Sequence, residues 1–294
     1  MNISMSKYNY NKDYFSIIDT EEKAYWLGFL YADGCITRYY KNEELRSMSL
    51  ELTLCEKDKG HLEKFAKSLN SNVPIQEKIT KIKDKQYKSY RLVINCTKLC
   101  YDLISLGCTP QKTHTIKLPT HDIIPKNLMR DFLRGFFDGD GSISITKMNN
   151  KPHIVTTFSG IFDMLTNISD YLISEKVLRV APKIHKDKRH EKTYNMYFYG
   201  SDSNKDFLDY LYKDSNIYLN RKYNSYNDFY QNYDEKLEKR GVYYHKNNKA
   251  YVATISINGK RIRVGQYKTI EEAIQARKEA EIEKMNILNS PLSQ

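Results

Sequence analysis

One helical pattern occurs twice in the chain, and each copy ends in an Asp-Gly pair. The first copy covers residues 25–36 and the second covers residues 131–143. Each is rich in large apolar residues and carries one glycine in its middle, Gly28 in the first copy and Gly135 in the second. A glycine inside a helix costs about 1 kcal/mol relative to alanine. The pattern therefore predicts that another backbone approaches each helix closely at its glycine.

The acid at the end of each copy is the second unusual feature. Asp33 and Asp140 have the same separation along the chain as the two glycines, and both are predicted at the negative pole of a helix. One copy alone fits an ordinary glycine-capped helix with an acid on its surface. Two copies in register favour two helices packed face to face, with both acids at the end of the seam. Carboxylates that close repel each other unless they share a proton or a hard divalent cation.

Residues 26–34 and 133–141 resemble the motif of the LAGLIDADG homing endonucleases. Both copies keep the glycine and the terminal Asp-Gly, whereas Tyr31 replaces an acid that the second copy keeps as Asp138. The resemblance implies a single-chain, site-specific endonuclease that hydrolyses phosphodiesters of double-stranded DNA at a long target site. It also implies a mixed α+β fold, in which two pseudo-symmetric αββαββα halves form a DNA-binding saddle.

The resemblance further implies a metal-dependent active site. Its expected cation ligands are the carboxylates of Asp33 and Asp140 and the main-chain carbonyls of Ala32 and Gly139, with Mg²⁺ as the expected ion. In this role the cation activates water and stabilises the leaving oxygen.

Two lysines match the place of a basic residue that reaches the active site in the family. Lys112 follows Asp33 at nearly the same distance along the chain at which Lys222 follows Asp140. Either lysine alone is more simply interpreted as a surface residue. Because the two are placed alike, we also predict that they position water or neutralise developing charge.

The segments between the motifs repeat as well. Residues 88–95 correspond to residues 192–199, and both belong to a predicted hairpin with a basic tip. Such tips can simply solvate a sheet edge, but the same enrichment in both halves favours a surface that follows phosphates. The predicted DNA-binding residues of the hairpins are Lys83, Lys85, Lys88, Arg91, Lys186, Lys188, Arg189 and Lys192.

The composition agrees with a polyanionic partner. The formal charge is +11, and the five cysteines include no CxxC pair, so free thiols in a reducing compartment are expected. No signal peptide and no membrane-length apolar run is found. We expect an intracellular, cytoplasmic monomer. The high content of Lys, Asn, Tyr and Ile is typical of an AT-rich genome, of a bacterium, a phage or another host, and an organelle stays an alternative location.

The composition changes after residue 240. Residues 241–268 hold six Lys or Arg and no acid, and Asn258-Gly259 is a strong signal for a two-residue hairpin turn. Thr269 and Glu272 form a capping box for a helix in which Ala273, Ala276 and Ala280 could lie on a sheet. The pattern predicts three strands with one helix on one face.

This stretch resembles the plant ethylene-response-factor, or AP-two, DNA-binding domain. In that family one face of the sheet enters the major groove, as an antiparallel sheet can. Strand parity places Tyr251, Ala253, Ile255, Ile262 and Val264 toward the helix. The predicted DNA-binding residues here are Tyr243, His245, Thr254, Ser256, Lys260, Arg261 and Arg263.

The predicted organisation has six parts. They are a flexible arm (1–18), two LAGLIDADG halves (19–124 and 125–228), a linker (229–240), the AP-two-type domain (241–287) and a tail (288–294). Two alternatives to an endonuclease stay open: a maturase that binds intron RNA to assist splicing, and a DNA-binding protein that does not cleave. Retention of both motif acids and the C-terminal domain favour cleavage of DNA.

Overall fold

The predicted α+β class is confirmed by a computed structural model of the chain. The structure describes residues 7–82, 84–112, 115–148, 151–257 and 260–288, and the chain divides into two compact units after Tyr226. None of the described helices has both the length and the mean hydropathy that crossing a bilayer requires.

The first unit contains the same order of elements twice, which confirms the predicted αββαββα halves. The first half comprises α1 (Glu21–Asp33), β1 (Gly34–Lys41), β2 (Glu44–Cys55), α2 (Lys59–Ser68), β3 (Gln76–Ile82), β4 (Lys85–Asn95) and α3 (Thr97–Ser105). The second half comprises α4 (Met129–Asp140), β5 (Gly141–Met148), β6 (Lys151–Gly160), α5 (Phe162–Ser174), β7 (Lys183–Lys186), β8 (Tyr194–Tyr197) and α6 (Ser201–Tyr212).

Each half folds as one antiparallel sheet with helices on a single face. The strand orders are β1-β2-β4-β3 and β5-β6-β8-β7, so the two sheets share one topology. Along β2 the residues Met48, Leu50, Leu52 and Leu54 are buried and alternate with less buried ones, as the period-two pattern predicts. The opposite face of each sheet is therefore left open.

Helices α1 and α4 pack together backbone to backbone at their glycines. A Cβ on Gly28 would overlap the carbonyl oxygen of Phe132, and one on Gly135 would overlap that of Tyr25. Most residues of both helices, including Trp26, are buried along this seam. This packing is the physical reason for the two glycines.

The prediction of a flexible arm at residues 1–18 is wrong for the part that the structure describes. Tyr14, Phe15 and Ile18 are buried, and the Asn11 amide donates to the carbonyl oxygen of Leu69 at 2.7 Å. The polar composition hid these three apolar anchors, which are too few to produce a period. Residues 1–6 lie outside the described ranges.

The segment predicted as a linker at residues 229–240 is mostly helical. Helix α7 (Asn220–Glu238) runs on from the second half through the division after Tyr226. This helix is rich in tyrosine and charged residues and has no clear apolar face. Its sequence therefore does not show the helical period that would predict it.

The second unit contains the predicted three strands and one helix. They are β9 (Val242–His245), β10 (Ala250–Ile257), β11 (Lys260–Tyr267) and α8 (Ile270–Leu288), in the sheet order β11-β10-β9. Helix α8 contacts β10 and β11, and its buried residues include Ala273 and Arg277. The predicted cap is present, because the Glu272 amide donates to Thr269 Oγ1 at 3.2 Å. The predicted turn at 258–259 lies outside the described residues.

Candidate active site

The two motif acids end their helices next to each other. A Cβ on Gly139 would lie 3.3 Å from Asp33 Oδ2 and would overlap Ala32 Cβ, so Asp33 lies against the last turn of α4. Desolvation and then repulsion from Asp33 raise the pKa of Asp140 to about 7. Desolvation also raises the pKa of Asp33, against the opposing effects of Lys222 and Lys112. Both carboxyl groups are thus partly desolvated, although both residues keep part of their surface exposed.

The two predicted lysines are buried close to the motif acids, one lysine from each half. Lys222 is 2% exposed and Lys112 is 8% exposed. Lys222 Nζ donates to the carbonyl oxygens of Phe137 at 2.6 Å and Asp138 at 2.7 Å, and Lys112 Nζ donates to that of Gly34. Each lysine therefore caps the C-terminal end of its own motif helix. Desolvation lowers the pKa of Lys222 to about 8, against the attraction of Asp138.

A small cavity lies beside these groups. Its volume is about 160 Å³, and its lining includes Lys112 and Ala32 from the first half and Asp140 and Ser159 from the second. Its lining includes polar groups, and it is large enough for ordered water. Water can therefore reach the lysine and the carboxylate together.

Asp138 is a buried anchor beneath the site. Its carboxylate accepts from the hydroxyls of Tyr25 at 2.7 Å and Tyr212 at 2.6 Å, and from the Leu219 amide at 2.7 Å. The Tyr25 hydroxyl also lies 3.0 Å from His61 Nε2. Desolvation raises the pKa of Asp138, while Lys222 and these three donors oppose it. In the first half Tyr31 takes this motif position and donates to the Leu106 carbonyl oxygen at 2.5 Å.

The site offers a divalent cation oxygen ligands only. Asp33 and Asp140 provide carboxylates, and the Gly139 carbonyl oxygen lies 3.5 Å from Lys222 Nζ, so it keeps acceptor capacity. Within the described ranges, no group of three or more His, Cys, Asp or Glu side chains is arranged to hold a metal. Mg²⁺ typically uses one or two carboxylates together with substrate phosphates. The residues present fit such an ion.

The predicted DNA-binding residues of the hairpins do not all lie on the same sheet face. Register places Arg91 and Lys85 on the open face of the first sheet, opposite the core. Lys88 points to the other face and forms ion pairs with Glu56 at 3.5 Å and Glu77 at 3.0 Å. Lys83 lies outside the described residues. In the second half the exposed basic residues at the hairpin tip are Lys186, Lys188, Arg189 and Lys192.

Six of the predicted groove-facing residues of the second unit share one face of its sheet. Strand register on this face pairs Tyr243 with Val252, His245 with Ala250, Thr254 with Arg263 and Ser256 with Arg261. Arg261 and Arg263 are exposed, whereas Thr254 is buried and donates from Oγ1 to the Gly241 carbonyl oxygen at 2.9 Å.

Two residues of β11 do not lie on the face that their predicted role requires: Lys260, predicted to bind DNA, and Val264, predicted to face the helix. Lys260 belongs to the opposite face, since it pairs with Ile257. A bulge in β11 at Val264 removes that residue from the row that was predicted to face the helix. A bulge shifts the alternation by one residue, which strand parity read from the sequence does not anticipate.

Sequence reasoning missed the ion pair beside Lys222. Arg221 Nε lies 3.0 Å from Asp58 Oδ2, and Asp58 is 7% exposed. Asp58 comes from the first half and Arg221 from the second. No periodicity links two residues so far apart in the chain, so only the fold could reveal this contact.

Comparison with known families gives one match. Residues 133–233 match the family described as "LAGLIDADG endonuclease". The match begins inside α4 and ends inside α7, so it covers most of the second half of the first unit and a few residues beyond Tyr226.

Comparisons with individual proteins include the following similarities. The chain is 26% identical over 207 residues to a probable translation initiation factor IF-2 of Methanocaldococcus jannaschii, and it spans 15% of that protein's length. A crystal structure of the LAGLIDADG homing endonuclease I-GzeII with its DNA target is 13% identical, with a TM-score of 0.49 over 89% of this chain and 97% of the other. The homing endonuclease I-LtrWI bound to target DNA is 12% identical, with a TM-score of 0.46 over 92% and 98%.

Proposed function

We propose that the chain is a LAGLIDADG-type homing endonuclease that cuts both strands of duplex DNA at a specific site, using Mg²⁺ or a similar divalent cation. One observation carries this proposal. Two like helices pack through their glycines and bring Asp33 and Asp140 together, and a buried lysine of each half lies at the same place. The family match over residues 133–233 supports the same function.

The acids are the proposed ligands of the cation, together with the carbonyls of Ala32 and Gly139. When bound, the cation activates water and stabilises the leaving oxygen of a phosphodiester. The seam is suited to this role because its two carboxylates repel each other, which contributes to the raised pKa of Asp140. A divalent cation held by these carboxylates would relieve that repulsion.

The lysines are proposed to act on charge rather than on structure alone. Lys112 and Lys222 bring two ammonium groups to a site where negative charge develops on phosphate oxygens. Because their stems are buried, the ammonium positions are fixed before DNA binds. Such preorganisation is the condition under which a charge accelerates a reaction.

Duplex DNA is proposed to lie against the open sheet faces of the first unit. Arg91 and Lys85 stand on that face in the first half, and the tip around Lys188 and Arg189 extends from the second. We propose that the second unit binds DNA as well, through the sheet face that carries Arg261 and Arg263. Phosphate contacts from these residues position the protein, and side chains on the sheets read base edges.

Incubation of the purified protein with the DNA that flanks its own gene tests the proposal. With Mg²⁺ we expect double-strand breaks at one position, found by sequencing the new ends, and we expect none with EDTA. Binding without breaks would instead support a DNA-binding protein that does not cleave. Selective binding to intron RNA, with no effect on the duplex, would support a maturase.

A further inference from the structure

The segment that carries Lys222 into the seam is residues 217–222, between α6 and the first turn of α7. Its own half holds it through α4. Arg134 Nε donates to the Ile217 carbonyl oxygen at 2.7 Å, and the Leu219 amide donates to Asp138 Oδ2 at 2.7 Å. Both anchors are buried, which fixes the backbone just before Lys222.

The first half holds the same segment from the other side. Lys64 of α2 donates to the Tyr218 carbonyl oxygen at 3.1 Å and to Asn220 Oδ1 at 2.8 Å, and its ammonium lies 5.3 Å from the Tyr218 ring centroid. Asp58, just before α2, accepts from Arg221 Nε at 3.0 Å and 3.2 Å. Thus Tyr218, Asn220 and Arg221 all contact the opposite half, and Arg221 directly precedes Lys222.

The corresponding segment of the first half, residues 106–112, is held differently. Tyr31 donates to the Leu106 carbonyl oxygen, and the Cys108 amide donates to that of Leu103 at 2.8 Å. Among the described residues, the hydrogen-bond partners of this segment all belong to the first half. The two lysines are therefore supported unequally, although they occupy matching places.

We propose that Asp58 and Lys64 are positioning residues for Lys222, so that the first half controls the reaction that the second half's lysine assists. The inference rests on the proposed endonuclease function. A displacement of about 1 Å at a group that assists chemistry can cost about 100-fold in rate. The proposal takes each lysine to assist the cleavage of one strand, so that loss of this support slows one strand and spares the other.

Strand-resolved cleavage tests the proposal. The substrate is a linear duplex carrying the site that the wild-type protein cuts, with a different label on each strand, in Mg²⁺ under single-turnover conditions. For Asp58→Ala with Lys64→Met we expect one strand to be cut at least about 10-fold more slowly, with the other within about twofold of wild type. The slowed strand should be the same strand that Lys222→Met slows. Lys64→Arg in place of Lys64→Met should restore much of the cleavage rate of that strand.

Lys98→Met is the matched control. Lys98 is an exposed lysine of α3 that binds Asp13 and Asp102 in the first half. Lys98→Met also removes the ammonium contacts of one lysine, but these contacts do not involve residues 217–222. Both strands should therefore be cut at wild-type rates. Equal slowing of both strands by the Asp58/Lys64 pair, or slowing of neither, would overturn the positioning role.

Hydrogen exchange decides the same point without DNA. In Asp58→Ala with Lys64→Met, the amides of residues 218–222 should exchange at least about 10-fold faster, while those of residues 106–112 should keep their wild-type rates. Unchanged exchange at 218–222 would contradict the inference. If the wild-type protein cuts no DNA, the proposed function fails, and the exchange experiment still tests the support of Lys222.

Discussion

Asp140 is the residue whose charge depends most clearly on its neighbours. Its pKa is raised to about 7 by desolvation and by Asp33, so between the unfolded value near 4 and about pH 7 the folded chain binds more protons than the unfolded chain. This carboxylate therefore lowers stability as pH rises through that window. In Asp140→Asn the melting temperature should exceed that of wild type by an amount that grows from pH 4 to pH 7, measured by thermal unfolding without divalent cations.

The Asp140 prediction has a control and a cation arm. Asp122→Asn removes an exposed carboxylate outside the seam, and its melting temperature should stay close to that of wild type. Added Mg²⁺ should stabilise wild type and shrink the advantage of Asp140→Asn. A constant difference for Asp140→Asn at every pH would contradict repulsion between the two acids.

The lysines combine a structural contact with a proposed chemical role, and substitution can separate the two. Lys222→Met removes the side-chain donor to the carbonyls of Phe137 and Asp138, although the Phe137 carbonyl keeps the Gly141 amide as a donor. This loss should destabilise the fold by about 1–3 kcal/mol. Cleavage should also slow by about 100-fold or more at saturating protein, for Lys222→Met and Lys112→Met alike. Single-turnover rates below the melting transition measure this. Weaker binding with an unchanged saturated rate would make the lysines phosphate anchors only.

At the scale of elements, the seam between α1 and α4 depends on two glycines. Gly135→Ala should destabilise the fold by about 1–3 kcal/mol or prevent folding, because the new methyl group would meet the main chain of Tyr25 and Phe29. Gly60→Ala, in α2, is the matched control, since nothing lies within 4 Å of its new Cβ and alanine favours the helix by up to about 1 kcal/mol. Urea unfolding of both variants measures the contrast. Equal stability of the two would rule out a backbone contact at the seam.

The elements that the sequence predicted best are those with a strong period or a repeat. The alternation from Met48 to Leu54 and the duplicated motif place β2, α1 and α4 correctly. The start of α1 is harder to predict from the sequence: Thr20 accepts from the Lys23 amide as the N-cap, whereas the neighbouring Asp19 forms an ion pair with Lys23. Both residues are common caps, so composition alone could not choose between them.

At the scale of the whole molecule, the candidate site could be predicted only in part. Asp33, Asp140, Lys112 and Lys222 follow from a repeat that covers both halves. The support of Lys222 by Asp58 could not be predicted from the sequence. The contact joins residues from different halves and has no counterpart in the repeat. The same limit applies to Lys88, whose ion pairs depend on the register of β3 and β4.

Removal of the C-terminal strands and helix tests whether they bind the same DNA. Cutting the chain after Lys239 keeps α7 and removes β9 to α8, the strands and the helix of the second unit. If about three of the six cations of residues 241–268 contact phosphates, the slope of log affinity against log salt should fall by roughly 2.7. Filter binding over a salt series measures it, and the footprint should shorten at one end only.

A double substitution separates direct contacts from folding in the same region. Arg261→Ala with Arg263→Ala should reproduce much of the loss, because both side chains are exposed on one face of the sheet. Lys278→Ala, on α8, is a basic control from the helix that covers the other face, and it should change the salt slope little. An unchanged footprint and slope for the truncated chain would mean that this unit does not bind the target.

Cleavage by Asp33→Asn and Asp140→Asn tests most directly that the two motif acids form a cation-dependent nuclease site. Both variants should bind the target with wild-type affinity, since neither removes a phosphate contact, and both should fail to produce double-strand breaks in Mg²⁺. The measurement is single-turnover cleavage of the labelled target, with affinity determined in parallel in Ca²⁺. Undiminished cleavage by either variant would contradict the site.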